Sequence, residues 1–405
     1  MKRYFRIAFN LFLSSVTPIV GWFLLSIILG DKQLSNTFSL TYPLQFIGPL
    51  LLAFFVTGST VRSNKEQNKN ATFTGLLLGN IAIVIVFSIC AVFTGKYIEF
   101  MHMDVETFKI FGLYVIIQFG LYSSFNMLME KLYFEGKEKR ANLLVLFFNL
   151  INFVCLVVTA LITKNQIIII CVALVALLIY VVVLYILNFE KFKFDFKPLL
   201  NFKYCSSDIL EDILYFCIYL FGFSNAFQFG PEYITAINFA ALITDPMWDA
   251  SNAIGKIAAI DISNNEFNFK KSLKHSAILC GIFLAYTFTF IFALFKPFEV
   301  NLNLALIALI PEIAWLVIYP FEANMSQFIQ LEHSPLWMTI VTLSSDVVRL
   351  LLSTLIYSPF CTQIGQFANM VGLFTFELVI FFVYYKVDKT TGALARKETR
   401  IKKAE

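Results

Sequence analysis

Residues 164–198 read KNQIIIICVALVALLIYVVVLYILNFEKFKFDFKP. A bilayer hydrocarbon core about 30 Å thick is crossed by roughly 20 apolar residues in a helix. Residues 166–188 therefore read as one membrane-spanning helix. Lys164 stands alone on one side of it, whereas Lys191, Lys193 and Lys197 crowd the other.

That unequal flanking repeats along the chain. Eleven further apolar spans cover 8–30, 38–61, 73–95, 107–130, 141–163, 206–229, 233–258, 273–295, 300–325, 335–357 and 362–385. Alternate gaps are basic: Arg62, Lys65 and Lys69; then Lys131, Lys137, Lys139 and Arg140; then Lys191, Lys193, Lys197 and Lys203; then Lys256, Lys270, Lys271 and Lys274. With both tails, 25 of the 31 cations fall on one side, 5 on the other, and Arg349 within a span. Because Lys and Arg are retained on the cytoplasmic side, the spacing predicts twelve crossings with both termini cytoplasmic. The fold class expected is all-α and polytopic.

Composition narrows the function. Hydrophobic residues are 59% of the chain and charged residues 14%, against about 25% charged in soluble domains. No gap is long enough for a soluble catalytic or nucleotide-binding domain, and no GxxxxGK[ST] loop occurs. The net charge of +4 is spread over the basic gaps, which suits headgroup contact and does not suggest nucleic acid. Seven cysteines show no CxxC spacing, so neither a metal site nor a disulfide framework is expected. The first span is too long for a signal h-region and reads as an uncleaved helix. The excess of Lys over Arg, with abundant Ile, Phe and Asn, suggests a bacterial plasma membrane.

A shift of 197 residues aligns the two halves: Gly58 meets Gly255, Asn68 meets Asn265, Glu135 meets Glu332, and Asn149 and Asn152 meet Asp346 and Arg349. Six helices per copy give both copies the same orientation, so the repeats are parallel. The expected units are a six-helix lobe at 1–188, an interfacial linker at 189–205, a second six-helix lobe at 206–386 and a basic tail at 387–405. Alternating Phe and charge in the linker suits a segment at the headgroup boundary.

Several stretches carry a resemblance to a known family. They are Gly-Asp-Lys-Gln-Leu-Ser at 30–35, Phe-Val-Thr-Gly-Ser-Thr-Val-Arg at 55–62, Tyr-Phe-Glu-Gly-Lys-Glu-Lys-Arg at 133–140, and Tyr-Ile-Thr-Ala-Ile-Asn-Phe-Ala-Ala-Leu-Ile at 233–243. Over residues 10–385 the chain resembles the MATE (multidrug and toxin extrusion) transporters, whose superfamily also holds polysaccharide and lipid-linked oligosaccharide flippases. The resemblance implies two lobes forming a V around a central cavity that opens alternately to each side. It implies export of amphipathic or cationic organic solutes against inward H⁺ or Na⁺, with no cofactor. A monomer in the bilayer is expected.

Charge within a bilayer is expensive and marks function or pairing. The candidates are Glu130, Asp208, Glu211, Asp212, Asp245, Asp249, Glu312, Glu322, Asp346, Arg349 and Glu377. Glu130 lies at a helix end and reads as interfacial; the rest belong to the second half. Asp245 and Asp249 share one helix face around Pro246, which removes a backbone N–H and bends the helix. They read either as a cation site or as two carboxyls anchoring helix packing. Glu312 follows Pro311 halfway along its span, and reads as a coupling residue or a neutral structural acid. Asp208 suits an N-cap. The family often carries an acid in its seventh helix, and Asp212 is the nearest match. Asp346 and Arg349, three apart on one helix, are predicted to pair.

Many bacterial MATE members also use an Asp in the first helix, but residues 8–30 contain no carboxylate. The first half offers Gln118, Asn126, Asn149 and Asn152 as polar cavity candidates instead. The ion site is therefore expected in the second half, at Asp212, Asp245, Asp249 and Glu312. The alternative is a flippase for lipid-linked oligosaccharides, which would place several cations in the cavity; only Arg349 qualifies. A membrane-embedded enzyme is disfavoured, because His102, His275 and His333 all lie between spans. A receptor or scaffold would have no obvious use for a parallel six-plus-six repeat.

Overall fold

Asn165 opens the segment quoted above as a helix: its side-chain oxygen accepts from the backbone N–H of Ile167 at 3.0 Å and of Ile168 at 3.3 Å. Asn268 and Asn301 start two later helices in the same way. Each cap satisfies amide donors that the first helical turn leaves without partners. In a computed structural model, residues 2–30, 37, 39–60, 69–135, 137–195, 206–263, 267–296, 300–329 and 335–401 are described. Residues 196–205 of the linker, together with Asn265 and Glu332, lie outside them, as does the side chain of Asp208.

Twelve long helices follow one another without a strand among the described residues. In the first half they are α1 (Lys2–Leu29), α2 (Thr41–Thr60), α3 (Lys69–Val92), α4 (Val105–Phe134), α5 (Glu138–Ile162) and α6 (Gln166–Leu187). The second half repeats them as α7 (Ser206–Phe227), α8 (Pro231–Ser251, continued by Ala253–Ser263), α9 (Phe269–Leu294), α10 (Leu302–Phe328), α11 (Pro335–Leu355) and α12 (Cys361–Ile401). The offset of 197 is visible in the starts: Val105 and Leu302 open α4 and α10, and Glu138 and Pro335 open α5 and α11. A short helix, Thr94–Phe100, lies between α3 and α4.

Over their described residues, nine of these helices are long and apolar enough to cross a membrane. Helix α8 falls short because it carries Asn238, Asp245 and Asp249. Helix α6 is the extreme case, with mean hydropathy 3.5. Its outward residues Val175, Ile179 and Ile186 are more than half exposed. An apolar side chain facing outward on an apolar helix requires lipid around it.

Helix α12 runs on to Ile401, through the start of the expected basic tail. The start of the linker docks on protein rather than only on headgroups. The Lys193 N–H donates to the Asn70 side chain at 3.0 Å, the Asp195 N–H donates to Thr74 Oγ1 at 2.9 Å, and Phe192 stacks on Phe73.

The two halves join through α1 against α8 and α2 against α7. They meet at both ends of the bundle. Near the chain termini, Tyr4 of α1 bonds Ser272 of α9 at 2.7 Å, and Asn324 of α10 accepts from Ser272 at 2.5 Å. At the opposite end, Ser39 donates to Asn238 of α8 at 2.9 Å, and Ser224 of α7 donates to the Phe100 carbonyl at 2.6 Å.

Candidate functional site

Prolines shape the helices that carry the buried acids. Pro246 lies inside α8, and Pro311 and Pro320 lie inside α10. A proline within a helix removes one backbone bond and leaves carbonyls to be satisfied otherwise. Helix α2 has Pro49 and, just after it, a π-helical turn at Ala53–Thr57. Such turns occur frequently at functional sites.

Asp245, beside Pro246, accepts a hydrogen bond from the Tyr42 hydroxyl of α2 at 3.2 Å. This bond crosses from one half of the molecule to the other. The indole N–H of Trp248 donates to Glu312 of α10, and the Gln366 side chain of α12 bonds the same carboxyl. Asp249 and Glu312 both act electrostatically on Asp245. Asp249 also faces Tyr122 of α4, whose hydroxyl meets Asn126. Three acids from α8 and α10 thus stand together where the two lobes face each other.

An aromatic stack lies alongside. Tyr42 stacks on Tyr219 and Phe223 of α7, with centroids 5.6 and 4.6 Å apart. Phe46, one turn on from Tyr42, stacks on Tyr215 and Tyr219 at 5.3 and 5.2 Å. The Arg349 guanidinium lies 5.5 and 5.4 Å from the Tyr215 and Tyr219 ring centroids. Its Nη2 meets the Tyr219 hydroxyl at 3.4 Å. Cation–π contacts of this kind gain strength when water is excluded.

Asp346 and Arg349 do not form the direct pair their spacing predicts. Asp346 instead accepts from Asn369 of α12 at 3.4 Å, and one of its oxygens has no hydrogen-bond partner, as does Arg349 Nε. The two charges still act on one another electrostatically. The guanidinium's contacts are instead the Tyr219 hydroxyl and the two tyrosine faces.

The other candidates divide. Asn126 reaches the site through Tyr122. Asn152 accepts from the Tyr114 hydroxyl at 2.5 Å, and Tyr114 packs edge-on against Trp22; this lies within the first half. Asn149 is buried one turn earlier on α5. Gln118 is half-buried on α4 and is not among the described contacts of the acids. Asp212, near the start of α7, is not among the groups acting on Asp245 or Glu312. Glu130 accepts from Thr57 at 3.3 Å.

Sequence reading missed Tyr42, Phe46, Tyr215, Tyr219, Trp248 and Gln366. A signal existed for four of these: Tyr42 and Phe46, and Tyr215 and Tyr219, are pairs four apart on one helix face. Nothing local marked Trp248 or Gln366.

The arrangement has clustered carboxyls with flat aromatic faces beside them. It can hold a cation at the acids and an aromatic or apolar body against the rings.

No family model and no curated protein matches the sequence. Solved structures match by fold. An inward-facing multidrug resistance MATE family transporter of the MOP superfamily superposes with TM-score 0.67 at 14% identity, covering 96% of each chain. An outward-facing one gives TM-score 0.62 at 15% identity, covering 96% of this chain and 97% of that one. A MOP superfamily transporter from Pyrococcus furiosus, described as having a binding pocket of reverse polarity that suggests a different function, gives 0.62 at 15%, covering 96% and 95%. The chain has the twelve-helix fold of the MATE transporters of the MOP superfamily.

Proposed function

We propose that this protein is a secondary active transporter that exports amphipathic or cationic organic compounds. Entry of H⁺ or Na⁺ drives it by antiport with alternating access. The protein sits in a bacterial plasma membrane with both termini in the cytoplasm, as the basic gaps imply. The observation that carries this reading is the Tyr42–Asp245 bond, because it links an ion-binding acid to the contact between the moving halves.

The mechanism follows from the energetics of a charge in a confined site. A carboxylate in a narrow wet crevice must stay hydrated or bind a cation. When H⁺ or Na⁺ neutralises the acids on α8 and α10, that demand disappears. Pro246 lets α8 repack against α1 and α7, and Pro311 lets α10 repack against α8 and α12. The same carboxyls, recharged, favour a cationic solute against the tyrosine stack.

A flippase for lipid-linked oligosaccharides shares the fold but needs cations for a pyrophosphate. The acids outnumber Arg349 here, which favours organic cations. The test is efflux of a cationic dye from proteoliposomes under separately imposed pH and Na⁺ gradients. Movement of the dye under one gradient supports the reading. No movement under either, with translocation of a pyrophosphate-linked lipid, supports the flippase.

A further inference from the structure

A second carboxyl pair lies outside the central cluster. Glu322 is six residues before Phe328, where α10 ends, and Glu377 is six residues before Val383, where the apolar span of α12 ends. At 1.5 Å per residue both lie about 9 Å inside the end nearest the chain termini. Helices α10 and α12 pack on each other, and Glu322 acts electrostatically on Glu377. Glu322 is 8% exposed and Glu377 1%. Oε2 of Glu377 is buried with no hydrogen-bond partner.

Their surroundings offer no compensating charge. Phe321 sits between Phe374 and Phe381 of α12, with centroids 6.0 and 5.7 Å away, and Phe328 lies 5.6 Å from Phe381. Tyr319 is the titratable neighbour of Glu322 on α10, and Cys280 of α9 faces Tyr319. Among the described residues, no Lys, Arg or His acts on either carboxyl. One buried carboxylate without a partner is costly, and two within reach of each other cost more. An aromatic wall supplies none of the oxygens a metal cation needs, whereas a proton needs only the carboxyl itself.

We propose that Glu322 and Glu377 form a second proton-binding site, separate from the acids at Asp245, Asp249 and Glu312. Its position gives it a consequence. Two residues after Glu322, Asn324 accepts from Ser272 and donates to Ser276 at 3.1 Å, and Ser272 in turn bonds Tyr4 of the other lobe. Loss of a proton draws the charged end of α10 toward water and loosens that seam. Protons at the terminal end thereby hold the lobes together there, and their release biases the lobes toward separating.

The test is infrared difference spectroscopy on the full-length protein in lipid bilayers, stepped through pH. The C=O band of protonated carboxyls should lose intensity in both Glu322→Gln and Glu377→Gln. Part of it should remain in the double variant Asp245→Asn, Glu312→Gln. A band unchanged by both single Gln substitutions overturns the proposal, and so does a band abolished by the double variant. Should a Gln variant fail to fold, Glu322→Asp and Glu377→Asp keep the acid and must shift the band; an unshifted band also overturns it. The spectrum needs no transport, so its failure is distinguishable from failure of the proposed antiport.

Discussion

The hydroxyl of Tyr42 donates to the carboxyl of Asp245 across 3.2 Å, joining α2 of the first six-helix lobe to α8 of the second. A hydrogen bond to a charged group contributes about 1.5–3 kcal/mol. Tyr42 also stacks on Tyr219 and Phe223, so its ring position survives loss of the hydroxyl. Tyr42→Phe should keep the fold and lower gradient-driven transport about tenfold, the equivalent of roughly 1.4 kcal/mol. Initial rates in proteoliposomes, beside a thermal unfolding scan, check both halves of that expectation.

Arg349 rests on two tyrosine faces, which a planar guanidinium suits better than an ammonium. Arg349→Lys should therefore lower stability, by about 2 kcal/mol for a desolvated cation–π contact. Tyr219→Leu should give a loss of similar size, and the double variant less than the sum, because the two share one contact. Thermal unfolding of the four proteins measures the coupling. Full additivity would mean that the stacking carries no energy.

Gly75 of α3 packs directly on the π-helical turn of α2. A methyl group there would collide with the Phe55 carbonyl oxygen and the Ser59 hydroxyl. One of the two obstacles is backbone, so the neighbour cannot simply rotate away. Gly75→Ala should destabilise the protein by about 1–3 kcal/mol. Gly281, whose added methyl meets nothing within 4 Å, is the control and should tolerate Ala. Unfolding midpoints of the two variants decide this.

Glu135 caps the exit of α4 between two cations, with Lys137 at 2.7 Å and Lys131 at 3.3 Å. Partial burial pushes its carboxyl up, but the two lysines outweigh it and hold it below the usual carboxylate range. A depressed folded-state value means the stabilisation is present above the ordinary carboxylate range and is lost as pH falls through the folded value. Solvent screening keeps it below about 1 kcal/mol. Amide exchange in residues 131–135 should therefore quicken as pH is lowered through that window, after correction for intrinsic rates. Glu135→Gln should remove the pH dependence.

The helices were legible because an uninterrupted apolar run such as 166–188 has few alternatives. The offset of 197 recurs in the starts of α4 and α10 and of α5 and α11. The buried acids were legible as isolated charges, and three of the four chosen, Asp245, Asp249 and Glu312, do meet. Asp212 is not among the groups that act on Asp245 or Glu312. What could not be read was the partner of each acid. Tyr42, Trp248 and Gln366 come from three helices distant in sequence, and only packing brings them together. The Asp346–Arg349 spacing permits contact without requiring it, and the Tyr215 and Tyr219 faces captured the guanidinium.

The central claim is that energy coupling resides in the acids of the second lobe. Ion-driven dye transport in proteoliposomes tests it most directly, with wild type beside Asp245→Asn, Asp249→Asn, Glu312→Gln and Asp212→Asn. The first three variants should lose gradient-driven transport by tenfold or more while remaining folded, and Asp212→Asn should retain it. Undiminished gradient-driven transport after all four acids are neutralised together would contradict the claim.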